Sequence, residues 1–309
     1  MQSLQPEIVS FDDPQDYRDA YDQLQIQTCL RKPEAFEDGM CCILEGRFKG
    51  DPFPLENRLA FRDGEVTIWG GINGHGKSLL TGQLALQLAD AGHKSCIMSL
   101  EMEPKRTLFR MCRQWLGHYP QTYDDVKRFL ARYNESLLLF DYVGALDQSI
   151  IFGAIVVAAQ QRFCRHIFID NLMRCVSGED DYNSQKDFVQ ELCAIARRLG
   201  IHIHLVHHVR KGKDENEEIG KFSFKGSGSI IDQADNLILI QRNRSKEKRR
   251  EDGILTPADD HSEGDSILRI VKQRNGDYEG NRALWFNRKA TAFCVDSNRI
   301  TPWGGHDYD

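Results

Sequence analysis

The residues best placed to do chemistry form a glycine-rich segment in the first third of the chain. Gly71 to Ser78 reads Gly-Ile-Asn-Gly-His-Gly-Lys-Ser and matches the phosphate-binding pattern G-x-x-x-x-G-K-[ST] in full. In this pattern backbone N–H groups and the positive end of a helix face a polyphosphate. Lys77 then reaches the β- and γ-phosphates, and the Ser78 hydroxyl binds Mg²⁺. The segment predicts a nucleoside triphosphate site with Mg²⁺ as its metal.

The residues on either side of this segment support the same interpretation. Residues 65–69 alternate like a strand, and the residues after Ser78 have helical spacing. An ordinary glycine-rich turn between a strand and a helix is the alternative, and the full match in this context disfavours it. The residues expected to contact the nucleotide here are Gly71, Asn73, Gly74, Gly76, Lys77, Ser78 and Leu79.

Two carboxylates follow apolar strand patterns downstream. Asp170 ends the run Arg165-His166-Ile167-Phe168-Ile169-Asp170 and is expected to hold Mg²⁺ beside Ser78. Glu101 follows the strand pattern 95–100, where a carboxylate can orient or deprotonate an attacking water. Because Glu101-Met102-Glu103-Pro104 also suits a helix start, position alone leaves both roles of Glu101 open.

Cationic and histidine side chains follow two later strand patterns. His208 comes at the end of the apolar run 201–206, where it can contact the γ-phosphate or serve a structural role. Lys272 and Arg274 occupy alternate positions of a strand end, so they share one face. An arginine supplied by a second subunit stabilises the transition state of phosphoryl transfer. Solvated surface cations are the alternative for this pair.

Composition sets the class of protein. The chain has 309 residues, of which 40% are hydrophobic and 28% charged, enough for one large α/β domain with an extension. No apolar run reaches the roughly 18 residues of a membrane span, and the first residues do not resemble a signal peptide, so we expect a cytosolic protein with no membrane partner. The net charge of −6 argues against broad nonspecific binding of nucleic acid but leaves room for a local basic track. The nine scattered cysteines form no C-x-x-C pair and are expected to be reduced.

The order of the elements predicts the fold class. Strand and helix signals alternate from about residue 53, and the last strands follow one another too closely for helices between them. This order predicts an α/β fold with a mostly parallel sheet, helices on both faces and antiparallel hairpins at the C-terminal end. The predicted strands are 65–69, 95–100, 137–140, 166–170, 202–206, 236–241, 267–272 and 283–286, and the predicted helices are 77–91, 104–116, 122–133, 148–162 and 184–199.

Three segments lie outside this pattern. Residues 1–50 are too short for a domain and are expected to form an arm, which packs on its own domain or on a neighbour. Residues 210–226 mix basic and acidic residues with two phenylalanines. Residues 242–264 are dominated by charge and are interpreted as a solvated loop.

Taken in order, these segments resemble the RecA-type motor domain of ring helicases: the DnaB family, phage helicase-primases and Twinkle. The matching stretches cover roughly residues 53–290, and they are Gly71–Ser78, Ser99–Met102, Phe168–Asn171, Val206–Lys211, Lys225–Gly228, Asp235–Asn236 and Lys272–Gly276. The resemblance implies a RecA-like P-loop NTPase core over residues 51–309, with residues 1–50 as an arm or linker helix that docks on a neighbouring subunit.

The resemblance also implies roles for individual residues. Glu101 is then the catalytic glutamate, Asp170 the metal-side carboxylate and His208 the sensor of the γ-phosphate. Arg274, with Lys272 beside it, is the finger inserted into the neighbouring subunit's site. Two further residues, Arg242 and Phe286, match the pair that sandwiches the nucleotide base. Those expected to grip single-stranded DNA are Arg210, Lys211 and Lys213.

The implied activity is ATP-dependent unwinding of DNA in replication by a ring that translocates on single-stranded DNA. The substrate is ATP or another NTP or dNTP, the assembly is a homo-hexamer or heptamer with its active sites at the interfaces, and a primase and a polymerase are further partners in trans. The expected location is the cytoplasm of a bacterial or phage-infected cell, with the mitochondrial matrix as an alternative.

A RecA-, RadA- or KaiC-like protein that uses ATP as a switch without separating strands is the second hypothesis. A metabolic P-loop kinase is the third.

Overall fold

A computed structural model describes most of the chain, including the glycine-rich segment Gly71–Ser78. The described residues are 15, 17–19, 21, 37–44, 49–142, 146–176, 181–209, 220, 223 and 228–303. Their α-helices are α1 (Glu37–Leu44), α2 (Lys77–Asp90), α3 (Pro104–Leu116), α4 (Tyr123–Tyr133), α5 (Gln148–Gln160), α6 (Tyr182–Leu199), α7 (Gly228–Gln233), α8 (Arg244–Glu251) and α9 (Pro257–Ser262). Their strands are β1 (Asp51–Phe53), β2 (Glu56–Phe61), β3 (Val66–Gly71), β4 (Ser95–Ser99), β5 (Leu137–Leu139), β6 (His166–Asp170), β7 (His202–His208), β8 (Asn236–Arg242), β9 (Ser266–Gln273), β10 (Gly280–Asn287) and β11 (Ala292–Cys294).

Nine strands form one sheet in the order β11-β10-β9-β8-β3-β7-β6-β4-β5. The six strands from β8 to β5 are parallel, and β9, β10 and β11 extend the β8 edge as antiparallel neighbours. The strands β1 and β2 form a separate antiparallel hairpin. This arrangement confirms the α/β fold class, the mostly parallel sheet and the antiparallel C-terminal strands predicted from the sequence.

The register of the parallel strands brings the motif-bearing strand ends to one edge of the sheet. Gly71 at the end of β3 pairs with His208 at the end of β7. Ser99 at the end of β4 pairs with Asp170 at the end of β6. Ligands of open α/β sheets bind at this carboxyl edge, beside the loops that leave the strands.

The core lies on both faces of the sheet. On one face, helices α5 and α6 cover an apolar cluster centred on residues such as Ile155, Leu192 and Leu205. On the other face, α2, α3 and α4 cover a second cluster that includes Trp69, Leu84 and Phe129. The sheet is therefore held from both sides, as a parallel sheet with apolar strands requires.

Capping residues mark where the helices before β6 and β7 begin or end. Asp147 caps α5 by accepting a hydrogen bond from the Ile150 N–H. Helix α6 ends at Gly200, which has a φ of 63° and lets the chain turn into β7.

Seven described cysteines are free, six of them buried. Among the residues placed by the structure, no helix is long and apolar enough to cross a bilayer.

The interpretation of residues 242–264 as a solvated charged loop is wrong. Most of this segment forms helices α8 and α9, which pack against each other through ion pairs. Lys246 is fully buried, with its ammonium 3.1 Å from carboxylate oxygens of both Asp260 and Asp265. Several of the charges that suggested solvent exposure, among them those of Lys246, Arg249 and Arg250, are instead paired with carboxylates.

Candidate functional site

A cavity at the carboxyl edge of the sheet gathers most of the predicted phosphate-site residues. It is lined by Asn73, Gly74, Gly76, Lys77, Ser78, Leu79, Glu101, Arg110, Asp170 and His208. The glycine-rich loop after β3 forms its floor, and the ends of β4, β6 and β7 supply the acidic and histidine side chains. All of these residues except Arg110 were named from the sequence.

The backbone of the loop requires glycine at position 76. Gly76 has a φ of 92°, in the left-handed region that disfavours other residues, and it stands immediately before the first residue of α2. A Cβ atom built on Gly76 would lie 2.7 Å from the Phe293 ring. The loop thus packs closely against β11, and the N-terminus of α2 points into the cavity with no acidic side chain in its first turn.

Lys77 is held beneath the loop with its ammonium group shielded from solvent. Its Nζ donates hydrogen bonds to the carbonyls of Gly71 at 2.7 Å and Ile72 at 3.1 Å. Burial lowers the pKa of Lys77 to about 8, although the charges of Asp170 and Glu101 act in the opposite direction. An anionic phosphate in the cavity would restore the charged form.

Asp170 and Ser78 form the part of the cavity suited to a divalent cation. Burial raises the pKa of Asp170, a hydrogen bond from Ser78 opposes this, and the nearby charge of Glu101 raises it further. Two carboxylates and a hydroxyl thus face the cavity with their negative charge only partly balanced. Such hard oxygen donors suit Mg²⁺, so the residues present fit the metal that the phosphate-binding pattern implies.

Asn171 connects Glu101 to His208. Its side-chain amide donates to Glu101 Oε1 at 2.6 Å and to His208 Nε2 at 2.9 Å. The Asn171 Oδ1 atom accepts from the Met173 N–H at 2.9 Å, which fixes the orientation of the amide. Because Nε2 of His208 accepts a hydrogen bond, the neutral imidazole carries its proton on Nδ1.

Arg110 on α3 is a cavity residue that sequence reasoning missed. Its Nη2 donates to the Ser78 carbonyl at 3.1 Å. Burial lowers the pKa of Arg110 and the Asp170 charge raises it. No local pattern distinguishes Arg110 from the exposed cations Lys105 and Arg106 on the same helix; only the packing of α3 turns it toward the phosphate loop.

A second cavity adjoins the first through Gly74, Gly76 and Leu79. Its further lining residues are His75, Arg242, Glu247, Arg250, Asp265, Ser266, Phe286, Arg288 and Phe293. The two residues predicted to sandwich the base, Arg242 and Phe286, both lie here. The structure thus brings the Arg242 guanidinium and the Phe286 ring into one cavity next to the phosphate site, and their contact with a base stays a prediction.

Arg242 is fixed above the phosphate loop. Its guanidinium donates to Glu247 at 2.7 Å and to the Gly74 carbonyl at 3.3 Å. Its backbone N–H donates to Nδ1 of His75 at 3.3 Å. Burial, together with the charges of Arg244 and Arg242, lowers the pKa of His75 to about 4, so His75 is neutral at physiological pH.

Lys272 and Arg274 lie at the end of the sheet where the parallel strands begin, opposite the carboxyl ends that line the phosphate cavity. The neighbouring Gln273 pairs with Asn236 at the start of β8, and Arg274 contacts the Asp235 carboxylate at 3.1 Å. Lys272 donates to three carbonyls at the end of α7, the shortest bond being 2.7 Å to Ala234. The length of β3 separates this end of the sheet from the phosphate loop. Its five residue steps from Val66 to Gly71 span about 16 Å. Neither cation therefore reaches the phosphate cavity of its own chain.

The residues predicted to bind DNA, Arg210, Lys211 and Lys213, lie outside the described residues. The same is true of most of the matching stretch 225–228, of which the structure describes only Gly228.

Fold and site together define the class of protein: a P-loop NTPase with a RecA-like core. A family model described as an AAA domain matches residues 46–214. The chain belongs to this AAA-domain family.

Solved structures share the fold at low sequence identity. The chain is similar to a solved structure described as an ATPase domain, with a TM-score of 0.68 and 14% identity over 84% of this chain and 97% of that one. It is also similar to a DnaB-like replicative helicase studied with primase, with a TM-score of 0.63 and 15% identity over 86% of this chain and 67% of that one. The chain has the fold of the motor domains of DnaB-like helicases.

Proposed function

We propose that the protein is an ATP-dependent DNA helicase that translocates on single-stranded DNA as a ring of identical subunits. The observation that carries this proposal is the separation of Arg274 from its own phosphate cavity. The cavity holds the loop, the metal-side carboxylate and Glu101, whereas Arg274 lies at the far edge of the same sheet. A ring that places Arg274 of one subunit against Lys77 of the next would complete the site.

In this proposal the chain's own residues bind ATP and position the reacting groups. Lys77 and the N–H groups of the loop bind the phosphates, and Arg242 and Phe286 hold the base. Ser78 and Asp170 would hold Mg²⁺, which supplies charge neutralisation on the phosphate oxygens when bound.

The proposed hydrolytic step depends on Glu101. Glu101 orients the attacking water and accepts its proton, while Asn171 restrains the carboxylate. His208, joined to the same amide, would sense the γ-phosphate. The strand β7 ends at His208, so the sensor directly precedes the segment that includes Arg210, Lys211 and Lys213, the proposed contacts to single-stranded DNA.

The two-part organisation, an arm over residues 1–50 and a motor domain over 51–309, is part of the same proposal. Tyr17 and Tyr21 place their rings against Phe140 and Phe152, with centroid separations of 6.4 and 5.2 Å. Arg18 forms an ion pair of 2.5 Å with Asp147, the cap of α5. We propose that in the ring an arm docks on this α5 surface of the adjacent subunit.

Subunit mixing tests the interface site. Lys77→Ala removes the phosphate contact in one subunit, and Arg274→Ala removes the finger contributed to the next. We expect each variant alone to lose hydrolysis by on the order of a thousandfold, and mixtures of the two to regain part of it because some interfaces receive both residues intact. Mixtures with no activity above either variant alone would contradict the shared site.

A forked DNA substrate tests the activity itself. We expect single-stranded DNA to stimulate ATP hydrolysis and the wild-type protein to displace the paired strand. Stimulated hydrolysis without displacement would instead identify a RecA-, RadA- or KaiC-like switch. Hydrolysis indifferent to DNA would favour a P-loop enzyme of another kind.

A further inference from the structure

Three side chains able to bind metal meet at the sheet edge opposite the phosphate loop. They are Asp51 in β1, His93 in the turn after α2 and His166, the first residue of β6. The His166 Nε2 atom lies 2.9 Å from Asp51 Oδ2, and His93 Nε2 lies 3.2 Å from Asp51 Oδ1. One ligand atom from each residue lies within 4.8 Å of the other two. No part of the proposed ATPase mechanism uses this cluster.

The cluster is enclosed but open to solvent at one side. His166 has no exposed surface, and the side chain of His93 retains 23% of its exposure. Burial would raise the pKa of Asp51, but the hydrogen bond from His166 and the charge of Arg165 hold it below its usual value. An ionised carboxylate therefore stands between two imidazoles, with an entry path beside His93.

We propose that Asp51, His93 and His166 bind a divalent transition metal ion of the zinc class, with water completing the coordination. Two imidazole nitrogens and a carboxylate are a common ligand set for zinc when one position stays open. Bonds of about 2.0–2.1 Å in a tetrahedral site separate the ligand atoms by about 3.3 Å. The nitrogens of His166 and His93 lie 2.9 and 3.2 Å from different oxygens of Asp51, so the carboxylate must turn for one oxygen to face both imidazoles. The ion would tie the β1–β2 hairpin to the sheet.

Arg165 does not prevent this arrangement. Its Nε lies 3.3 Å from Asp51 Oδ2 but only 2.8 Å from Asp63 Oδ1. Asp63 can therefore keep the guanidinium when Asp51 turns to a metal ion.

Binding would be transmitted to a buried tryptophan. The Trp69 indole can only donate, and it donates to His204 Nδ1 at 3.3 Å, so His204 carries its proton on Nε2. The Nε2–H of His204 donates to Nδ1 of His166, with 3.2 Å between the two nitrogens. The proton of His166 is therefore on Nε2, where it faces Asp51. A metal ion on Nε2 of His166 requires the proton on Nδ1 instead. The hydrogen bond between His166 and His204 then reverses, and the Trp69 indole loses its acceptor.

Cobalt binding to the untagged full chain tests the site. The protein is first freed of metal by a chelator and then titrated with Co²⁺. Excess Mg²⁺ is present to occupy the oxygen ligands at Asp170, so that Co²⁺ binding there does not contribute. We expect one equivalent of Co²⁺ to bind with visible absorption and to be displaced by Zn²⁺. His93→Ala removes a proposed ligand and should weaken binding by at least the roughly 100-fold that loss of an outer-shell partner can cost. His118→Ala, which removes an exposed histidine outside the cluster, should not change it.

The tryptophan provides a second readout. We expect Zn²⁺ to shift the indole N–H resonance of Trp69 in the wild type and in His118→Ala but not in His93→Ala. Asp51→Asn, checked for folding by circular dichroism, should behave like His93→Ala. Absence of saturable binding, or equal binding by His93→Ala, would overturn the proposal and leave the cluster a hydrogen-bond network.

Discussion

The side-chain amide of Asn171 donates a hydrogen bond of 2.6 Å to Oε1 of Glu101. The same nitrogen donates to His208, so one fully buried amide restrains both side chains that we place next to the γ-phosphate. The position of Glu101 is therefore set from β6, the strand that also ends in Asp170.

Asn171→Asp tests this restraint while keeping the size of the side chain. An ionised aspartate cannot donate to Glu101, and its charge repels the carboxylate. We expect kcat for ATP hydrolysis to fall by about tenfold to a hundredfold, up to the lower limit of what a positioned acid–base group contributes, because Glu101 itself is retained. KM should change little because Asn171 does not line the phosphate cavity. Asn134→Asp, at an exposed position on another element, is the control, and an unchanged kcat in Asn171→Asp would contradict the proposed role.

Arg110→Gln tests the cation that only the structure placed in the site. Its guanidinium donates to the Ser78 carbonyl and interacts with the Asp170 charge, so its loss removes a positive charge from the cavity expected to bind the phosphates. We expect kcat/KM to fall by about tenfold to a hundredfold in steady-state hydrolysis. Arg106→Gln removes an exposed arginine one turn away on the same helix and should retain wild-type kinetics. Equal kinetics for the two variants would exclude Arg110 from the site.

Nucleotide affinity should depend on pH through Lys77. Its pKa in the free protein is about 8, so the side chain loses its proton as the pH rises through this value. Phosphate binding requires the charged form and raises the pKa again. We expect the Kd of an ATP analogue, measured by titration calorimetry, to change little below pH 7.5 and to rise by up to about tenfold per pH unit above 8. A lysine with an ordinary pKa would give a flat profile up to pH 9, and Lys77→Met should abolish the dependence.

Lys246→Ala tests whether residues 242–264 are a packed part of the fold. The substitution leaves Asp260 and Asp265 without a buried cation, although Arg250 and Arg299 still contact them. We expect the free energy of unfolding to fall by about 3 kcal/mol in a denaturant titration. Lys248→Ala, exposed on the same helix, should change it by less than about 0.5 kcal/mol. Similar values for both variants would restore the solvated-loop interpretation.

Local patterns predicted the larger elements of the fold. Each predicted strand corresponds to a strand of the sheet, because buried strands and amphipathic helices differ in the period of their apolar residues. The hairpin of β1 and β2, strand β11 and helices α1, α7, α8 and α9 were missed. Helix α8 carries no apolar residues, so its stability comes from ion pairs to α9 and to Asp265, the residue before β9. Such long-range pairs have no local signature.

The phosphate loop, Asp170, Glu101 and His208 could be named from the sequence because each lies at or just after the end of a strand, and parallel strands bring their carboxyl ends together. Tertiary structure decided what surrounds them. The packing of α3 brings Arg110 to Ser78, and the close approach of β11 places Phe293 against Gly76. The direction of β9 separates Arg274 from the cavity of its own chain, since β9 runs antiparallel to β8 and ends where the parallel strands begin. Residue type and spacing thus determined which chemistry the chain carries, whereas long-range packing, which no short segment encodes, decided which residues share one site.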